Sequence, residues 1–284
     1  MPARSSRIAS SATAPLLLLC GMLIGLPTSS AAAHDTATAD SAAATGEAGD
    51  TAEIPAGFTA LFDGQSLAGW IGDDPFWRVE NGILIGEITP ETVIKRNRFL
   101  IYQGAVPDDF ELIVEFRVSD RGNSGINYRS QSVKGLSYQA LRGYQCDIDG
   151  RKRYTGSNYE ERKRTTLASI GESVRIPNVQ GVKERNRWTA GIVEKQIAPA
   201  ADLRAGIKDH DWNTARIVAQ GHVLKHYIND QLISQVIDED ETNRSLTGKL
   251  GVQVHTGPPM TIEYRQILIR PLNSATSPDT ASSP

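Results

Sequence analysis

NSGINYRS at residues 123–130, GYQCDIDG at 143–150 and YTGSNYEERKRT at 154–165 make the most informative stretch of this 284-residue chain. Side chains alternate across a strand, so residues i, i+2 and i+4 share a face. Gln145, Asp147 and Asp149 then point one way, and Tyr144, Cys146 and Ile148 the other. On the neighbouring run Asn123, Gly125, Asn127 and Arg129 oppose Ile126 and Tyr128. The two segments read as adjacent strands with one apolar face for a core and one polar face. Solvated sheet faces are usually polar too. These, however, are short amides, short carboxylates and an Arg, not long mobile Lys and Glu side chains, which points to a binding or catalytic face.

The same alternation extends outward from this pair. Phe110, Leu112, Val114, Phe116 and Val118 alternate with Glu111, Glu115 and Arg117, the pattern of a half-buried strand. Trp77–Ile85 carries Asn81-Gly82 between two apolar runs, a type I′ hairpin signal. Further hairpins are expected across Gln220-Gly221-His222 and Asn229-Asp230, and strands at 248–255 and 262–270. Residues 165–210 are weakly patterned and are expected to be long loops with short strands along one edge of a cleft. Short strands, frequent turn pairs and little helical periodicity predict an all-β jelly-roll sandwich of two antiparallel sheets.

The ends differ in composition. Arg4 and Arg7, an apolar run from Ala14 to Leu26 and Ala31-Ala32-Ala33 read as a secretory signal over residues 1–33. Cys20 follows Leu19, where a lipidation site calls for a small residue, so a periplasmic or extracellular location is expected rather than a lipid anchor. Residues 34–54 and 274–284 are rich in Ala, Ser, Thr, Asp and Pro and read as disordered linker and tail. The folded domain is therefore expected over 55–273. The apolar run of the leader is too short for a comfortable span and no later segment suits a bilayer. With a formal net charge of −3 and no sustained basic patch, no nucleic-acid partner is expected. After removal of the leader Cys146 is the remaining thiol, a buried apolar residue rather than half of a disulfide.

Three features carry possible chemistry. The Gln145-x-Asp147-x-Asp149 spacing is similar to the Glu-x-Asp-x-Glu strand of retaining β-glucanases, but an amide cannot be a carboxylate nucleophile, which disfavours two-carboxylate retention. Same-face carboxylates lie about 7 Å apart along a strand, so Asp147 and Asp149 can bind a cation, hold hydroxyls or share a proton, while Asp149-Gly150 also reads as a turn pair. Gln253 and His255 share a face before Thr256-Gly257-Pro258-Pro259, a loop that would fix the imidazole as a general base. His210, His222 and His226 are expected at the surface, and Trp212 in the core. Zinc spacing, a phosphate loop and a Gly-x-Ser-x-Gly elbow are all missing from the sequence.

Several of these motifs occur in order: Phe58-x-x-Leu61-Phe62-Asp63-Gly64-x-x-Leu67-x-x-Trp70, Trp77-x-Val79-Glu80-x-Gly82, Asn123-Ser124-Gly125-Ile126-x-x-Arg129, Gly143-Tyr144-Gln145, Asp211-Trp212-Asn213, Gln253-x-His255 and Glu263-Tyr264-Arg265-x-Ile267. Together, over about 57–271, they resemble the 3-keto-disaccharide hydrolase family, exported proteins of concanavalin A-like fold. One branch of that family has Tyr-x-Gly-x-x-Tyr-Asp-Glu-x-Arg-Arg, matched here by Tyr154, Gly156, Tyr159, Glu161 and Arg164, with Glu160 and Lys163 substituted. Other members carry Glu at the place of Gln145 and Gln at that of Asp147. The resemblance implies cleavage of glycosides oxidised at C3, by C2 deprotonation, β-elimination and rehydration. On that basis His255 or Asp147 is the base, Arg129 stabilises the enolate and Glu161 or Tyr159 is the acid. Asn123, Gln145, Asp149, Gln253, Tyr154 and Arg164 complete the carbohydrate-binding set. A divalent metal ion at Asp147, Asp149 or His255 is the alternative to Arg129. A non-catalytic lectin-like module, which favours exposed aromatics on a flat face, and a tethered structural domain are the competing readings. Oligomeric state has no signature in the sequence.

Overall fold

The computed structural model describes residues 54–178 and 191–273. The expected leader, the linker up to residue 53 and the tail after 273 lie outside the described residues. Seventeen strands and one short helix follow in chain order: β1 (Thr59–Ala60), β2 (Trp70–Ile71), β3 (Trp77–Glu80), β4 (Ile83–Ile88), β5 (Arg98–Tyr102), β6 (Phe110–Val118), β7 (Asn123–Ser132), β8 (Leu141–Asp149), β9 (Asn158–Glu161), β10 (Thr165–Ala168), β11 (Glu172–Ile176), β12 (Ile192–Gln196), α1 (Ala200–Ala205), β13 (Asn213–Gln220), β14 (Val223–Ile228), β15 (Gln231–Asp238), β16 (Lys249–Val254) and β17 (Met260–Pro271).

They form the expected jelly-roll sandwich. One sheet runs β12-β11-β15-β14-β13-β6-β17-β4-β3, with β1 on β17, and the other β10-β9-β8-β7-β16-β5-β2. Pairing is antiparallel except for β11 beside β15. The turn chemistry explains the hairpins. Asn81 and Gly82 both take positive φ, as do Asn229 and Asp230, which is the type I′ geometry that matches strand twist.

The core lies between the sheets. Phe110, Leu112, Val114 and Phe116 of β6 are buried against Ile126 and Tyr128 of β7, Tyr144, Cys146 and Ile148 of β8, and Val252 and Val254 of β16. Cys146 is a free, buried thiol, and burial pushes its pKa up. Because every other residue of β7, β8 and β16 faces this core, the alternate ones are turned to the outer side of the seven-stranded sheet. Asn127 pairs with Gln145, Gly125 with Asp147 and Asn123 with Asp149.

Two expectations need correction. His226 is not at the surface. It sits between Leu224 and Ile228 on the inward side of β14, fully buried, where Nδ1 donates to the Gly156 carbonyl (3.3 Å) and Nε2 lies 2.8 Å from the Tyr128 hydroxyl. Trp212 is not core. It is half-buried between the guanidinium groups of Arg117 and Arg265, 4.9 and 4.5 Å from its ring. The weakly patterned 165–210 segment holds the expected short strands, β10, β11 and β12, and adds the six-residue α1; its residues 179–190 lie outside the described set.

Candidate active site

The outer face of the seven-stranded sheet carries a line of amides ending in a carboxyl group. Gln253 Nε2 on β16 donates to Gln145 Oε1 (3.3 Å), and Gln145 Nε2 on β8 donates to Asp147 Oδ1 (2.7 Å). The chain crosses β7 at Gly125, and a Cβ there would stand only 2.4 Å from Gln145 Cδ. Glycine at 125 is thus a matter of space: its bare backbone is the bed for the Gln145 amide. Burial pushes the Asp147 carboxyl up to about 8; the Gln145 hydrogen bond opposes this, and the charges of Glu161 and Asp149 add to it. At pH 7 this half-buried carboxyl carries a proton.

Beside Gln145 and Gly251 lies Asn127, a residue the sequence reading placed on this face without a role. It is fully buried, and neither its amide nitrogen nor its amide oxygen has a hydrogen-bond partner; Gln253 Oε1 is also unpartnered. Buried polar groups left unmatched in this way are costly, and they mark the floor as one built to meet polar ligand atoms or water.

At one end of this floor opens a cleft of about 260 Å³, lined among others by Tyr159 and Glu161 of β9, by Arg162, by Lys95 and Arg96 ahead of β5, and by His255 at the end of β16. The backbone N–H of His255 donates to the Asn123 carbonyl (3.2 Å), which keeps Asn123 beside the cleft. The imidazole Nδ1 stands 2.6 Å from the Thr256 carbonyl. A carbonyl only accepts, so Nδ1 holds the proton and Nε2 keeps its lone pair. Burial moves the His255 pKa below its usual value, which keeps the ring neutral at pH 7. Asp147 and His255 are therefore displaced in opposite directions, the pattern that separates an acid from a base.

Other residues proposed from sequence are held elsewhere. Arg129 does not face the cleft. A register shift between Tyr128 and Gln131 and a φ of 43° turn it out of the alternation. Its guanidinium is buried against the Asp108 carbonyl (2.7 Å), the Asp109 carboxylate (2.9 Å) and the Gly221 carbonyl (2.6 Å). Arg164 is also interior: it binds Glu160 and Asp238, each at 2.5 Å, with Asp240 at 3.6 Å. Asp149 is spent on the turn after β8, accepting from the Arg153 N–H (2.9 Å) and Nε (3.1 Å). Tyr154 is exposed over Arg153 and does not line the cleft. With Asp149 so engaged, Asp147, Asp149 and His255 form no donor set, and no group of three or more His, Cys, Asp or Glu side chains among the described residues suits a metal ion.

Arg162, Lys95 and Arg96 were not proposed from sequence. Arg162 lies beside Glu161, its Nε 3.7 Å from the carboxylate and without a hydrogen-bond partner, while Nη2 approaches the Tyr138 hydroxyl at 3.4 Å. The mixed run Glu160–Arg164 gave no sign of which charges turn inward. Lys95 and Arg96 belong to a loop with no strand pattern.

Residues 57–270 match the family model described as a 3-keto-alpha-glucoside-1,2-lyase-like domain. No curated protein matches the sequence. Among solved structures, similar folds include a proposed glycosyl hydrolase from Parabacteroides distasonis ATCC 8503 (18% identity, TM-score 0.48, covering 76% of this chain and 94% of that one). The carbohydrate binding module CBM66 from Bacillus subtilis (15%, 0.44, 71% and 95%) is another, as is a Bacillus subtilis protein of unknown function with a galectin-like fold (12%, 0.47, 72% and 90%).

Proposed function

Because the chain belongs to the 3-keto-alpha-glucoside-1,2-lyase-like domain family, we propose that it is an exported enzyme that cleaves glycosides whose glucose ring carries a ketone at C3. The ketone acidifies the C2–H bond, so a neutral imidazole is base enough. His255 Nε2 takes the C2 proton, and the electron pair moves into the enolate at O3. Arg162, which lines the cleft beside Glu161, stabilises that oxyanion in place of Arg129. The enolate then collapses, expelling the C1 substituent, and Asp147 supplies its proton. Addition of water across the new C1–C2 double bond gives the free 3-keto sugar. Gln145 meets ring hydroxyls, with the fully buried Gln253 hydrogen-bonded behind it, a role for which amides suffice, and no carboxylate nucleophile is required.

One observation supports this reading above the rest: Nδ1 of His255 is tied to a carbonyl, so a cleft that also holds Glu161 and Arg162 contains an imidazole locked as a proton acceptor. Exposed aromatics on a flat face, which the lectin-like reading favours, find little support. Among the described residues the exposed large aromatic is Tyr154. The test is incubation with a 3-keto-disaccharide and with its unoxidised parent. Cleavage of the first alone is expected, with a loss of about 10²–10⁴-fold in His255→Ala. Binding without cleavage of either sugar would contradict the reading in favour of a lectin-like module.

A further inference from the structure

The rim of the cleft raises a question that the chemistry at C2 leaves unanswered. Among the described residues, four basic side chains, Lys95, Arg96, Arg162 and Lys163, meet one carboxylate, Glu161, in a chain whose formal net charge is −3. Two of the four are accounted for locally. Lys163 binds Glu160 at 3.0 Å and also donates to the Asn243 carbonyl, and Arg162 faces Glu161. Lys95 and Arg96 are different: both are exposed, and neither has a carboxylate partner among the described residues. Their loop is pinned beside the imidazole. Thr256, next to His255, donates its N–H to Asn97 Oδ1 (3.0 Å) and its hydroxyl to the Ile94 carbonyl (2.8 Å), bracketing the two cations. Exposed cations on an anchored segment at the mouth of a cleft attract anions, and a guanidinium fork suits a planar or tetrahedral oxyanion.

We propose that this cleft selects glycosides that carry an oxyanion, a carboxylate or a sulfate, held against Lys95 and Arg96. The inference rests on the reading of this cleft as the sugar site and narrows its substrate class. A neutral sugar would be served by the amides of the floor and would gain nothing from the rim. The cleft volume of about 260 Å³ is below the roughly 300–1,000 Å³ of sites that enclose drug-sized ligands, which suits one charged sugar ring rather than a polyanionic chain. Both cations are exposed, so each contact is expected to be modest and sensitive to salt.

The test compares binding of methyl glucoside, methyl glucuronide and methyl glucoside 6-sulfate to the full chain by ligand-observed NMR, at low salt and at 0.5 M NaCl. At least one anionic sugar is expected to bind about three- to tenfold more tightly than the neutral one at low salt, and the tighter of the two identifies the anion. That ratio should fall towards one in high salt and in a Lys95→Gln/Arg96→Gln variant. Equal affinities for all three sugars, no binding of any, or a preference that survives in the double variant would overturn the proposal. Turnover of the 3-keto forms of the neutral and of the anionic glycosides, measured in parallel, separates the two readings. Turnover without anion preference removes only this inference, and anion preference without turnover removes only the 3-keto chemistry.

Discussion

His255 and Asp147 make the chemistry testable one residue at a time. The imidazole must be neutral to accept a proton, and its pKa lies below the ordinary 6.5. The carboxyl must be protonated to give one, and its pKa is raised to about 8. Activity, read as kcat/KM, should therefore fall on an acid limb that lies below the ordinary imidazole value, and again above about pH 8. Asp147→Asn should remove the alkaline limb; a limb that persists in that variant would take the acid role from Asp147. Gly125 offers a subtler test. A methyl there would stand 2.4–2.6 Å from Cδ, Cγ and Nε2 of Gln145, so that side chain must move off its bed, and Gly125→Ala should keep its melting temperature within a few degrees while losing at least tenfold in turnover. Full activity in that variant would show that the amide relay is ornamental. The polar face was legible in the alternation of Asn123–Asn127 and Gln145–Asp149. The rim was not, because Arg162, Lys95 and Arg96 lie in irregular backbone where no period reports direction.

At the level of the strands, the errors of sequence reading have physical causes. In β7, alternation fails at the irregularity after Tyr128, so Arg129 leaves the polar face and joins the turn before β6 to the β13–β14 hairpin. Arg129→Ala should therefore cost about 3–5 kcal/mol of stability, as removal of one partner from a buried ion pair does, while turnover per folded molecule stays near that of the intact protein. Loss of turnover without loss of stability would return Arg129 to the site. In β14 the signal is present: His226 alternates with Leu224 and Ile228, which mark the core side, whereas the polarity of a histidine near a turn points to solvent. Its burial holds the pKa down to about 4, below the ordinary 6.5. Between those values the unfolded chain binds a proton that the folded chain refuses, so this contribution is present above pH 6.5 and is lost as pH falls through 4. The loss amounts to roughly 3 kcal/mol. His226→Gln should flatten the fall of melting temperature across that window, and an unchanged slope would place the acid sensitivity elsewhere.

Over the whole molecule, the sandwich was predictable because its information is local: type I′ pairs at Asn81-Gly82 and Asn229-Asp230, and clean alternation in β6. What was not local could not be read. Arg164 finds Asp238 across 74 residues of sequence, and β11 lies parallel to β15, a pairing that no turn announces. The site is assembled the same way. β16 brings His255, β8 brings Asp147, and the turn after β9 brings Arg162 to one sheet face, so the function proposed depends on the fold bringing these groups together around a sugar C2–H bond. The most direct measurement is the turnover of a 3-keto-glucoside deuterated at C2, compared with its protiated form in single-turnover kinetics. The account predicts a primary isotope effect on cleavage, with the deuterium released to solvent. Equal rates, with deuterium retained at C2 of the product, would contradict it.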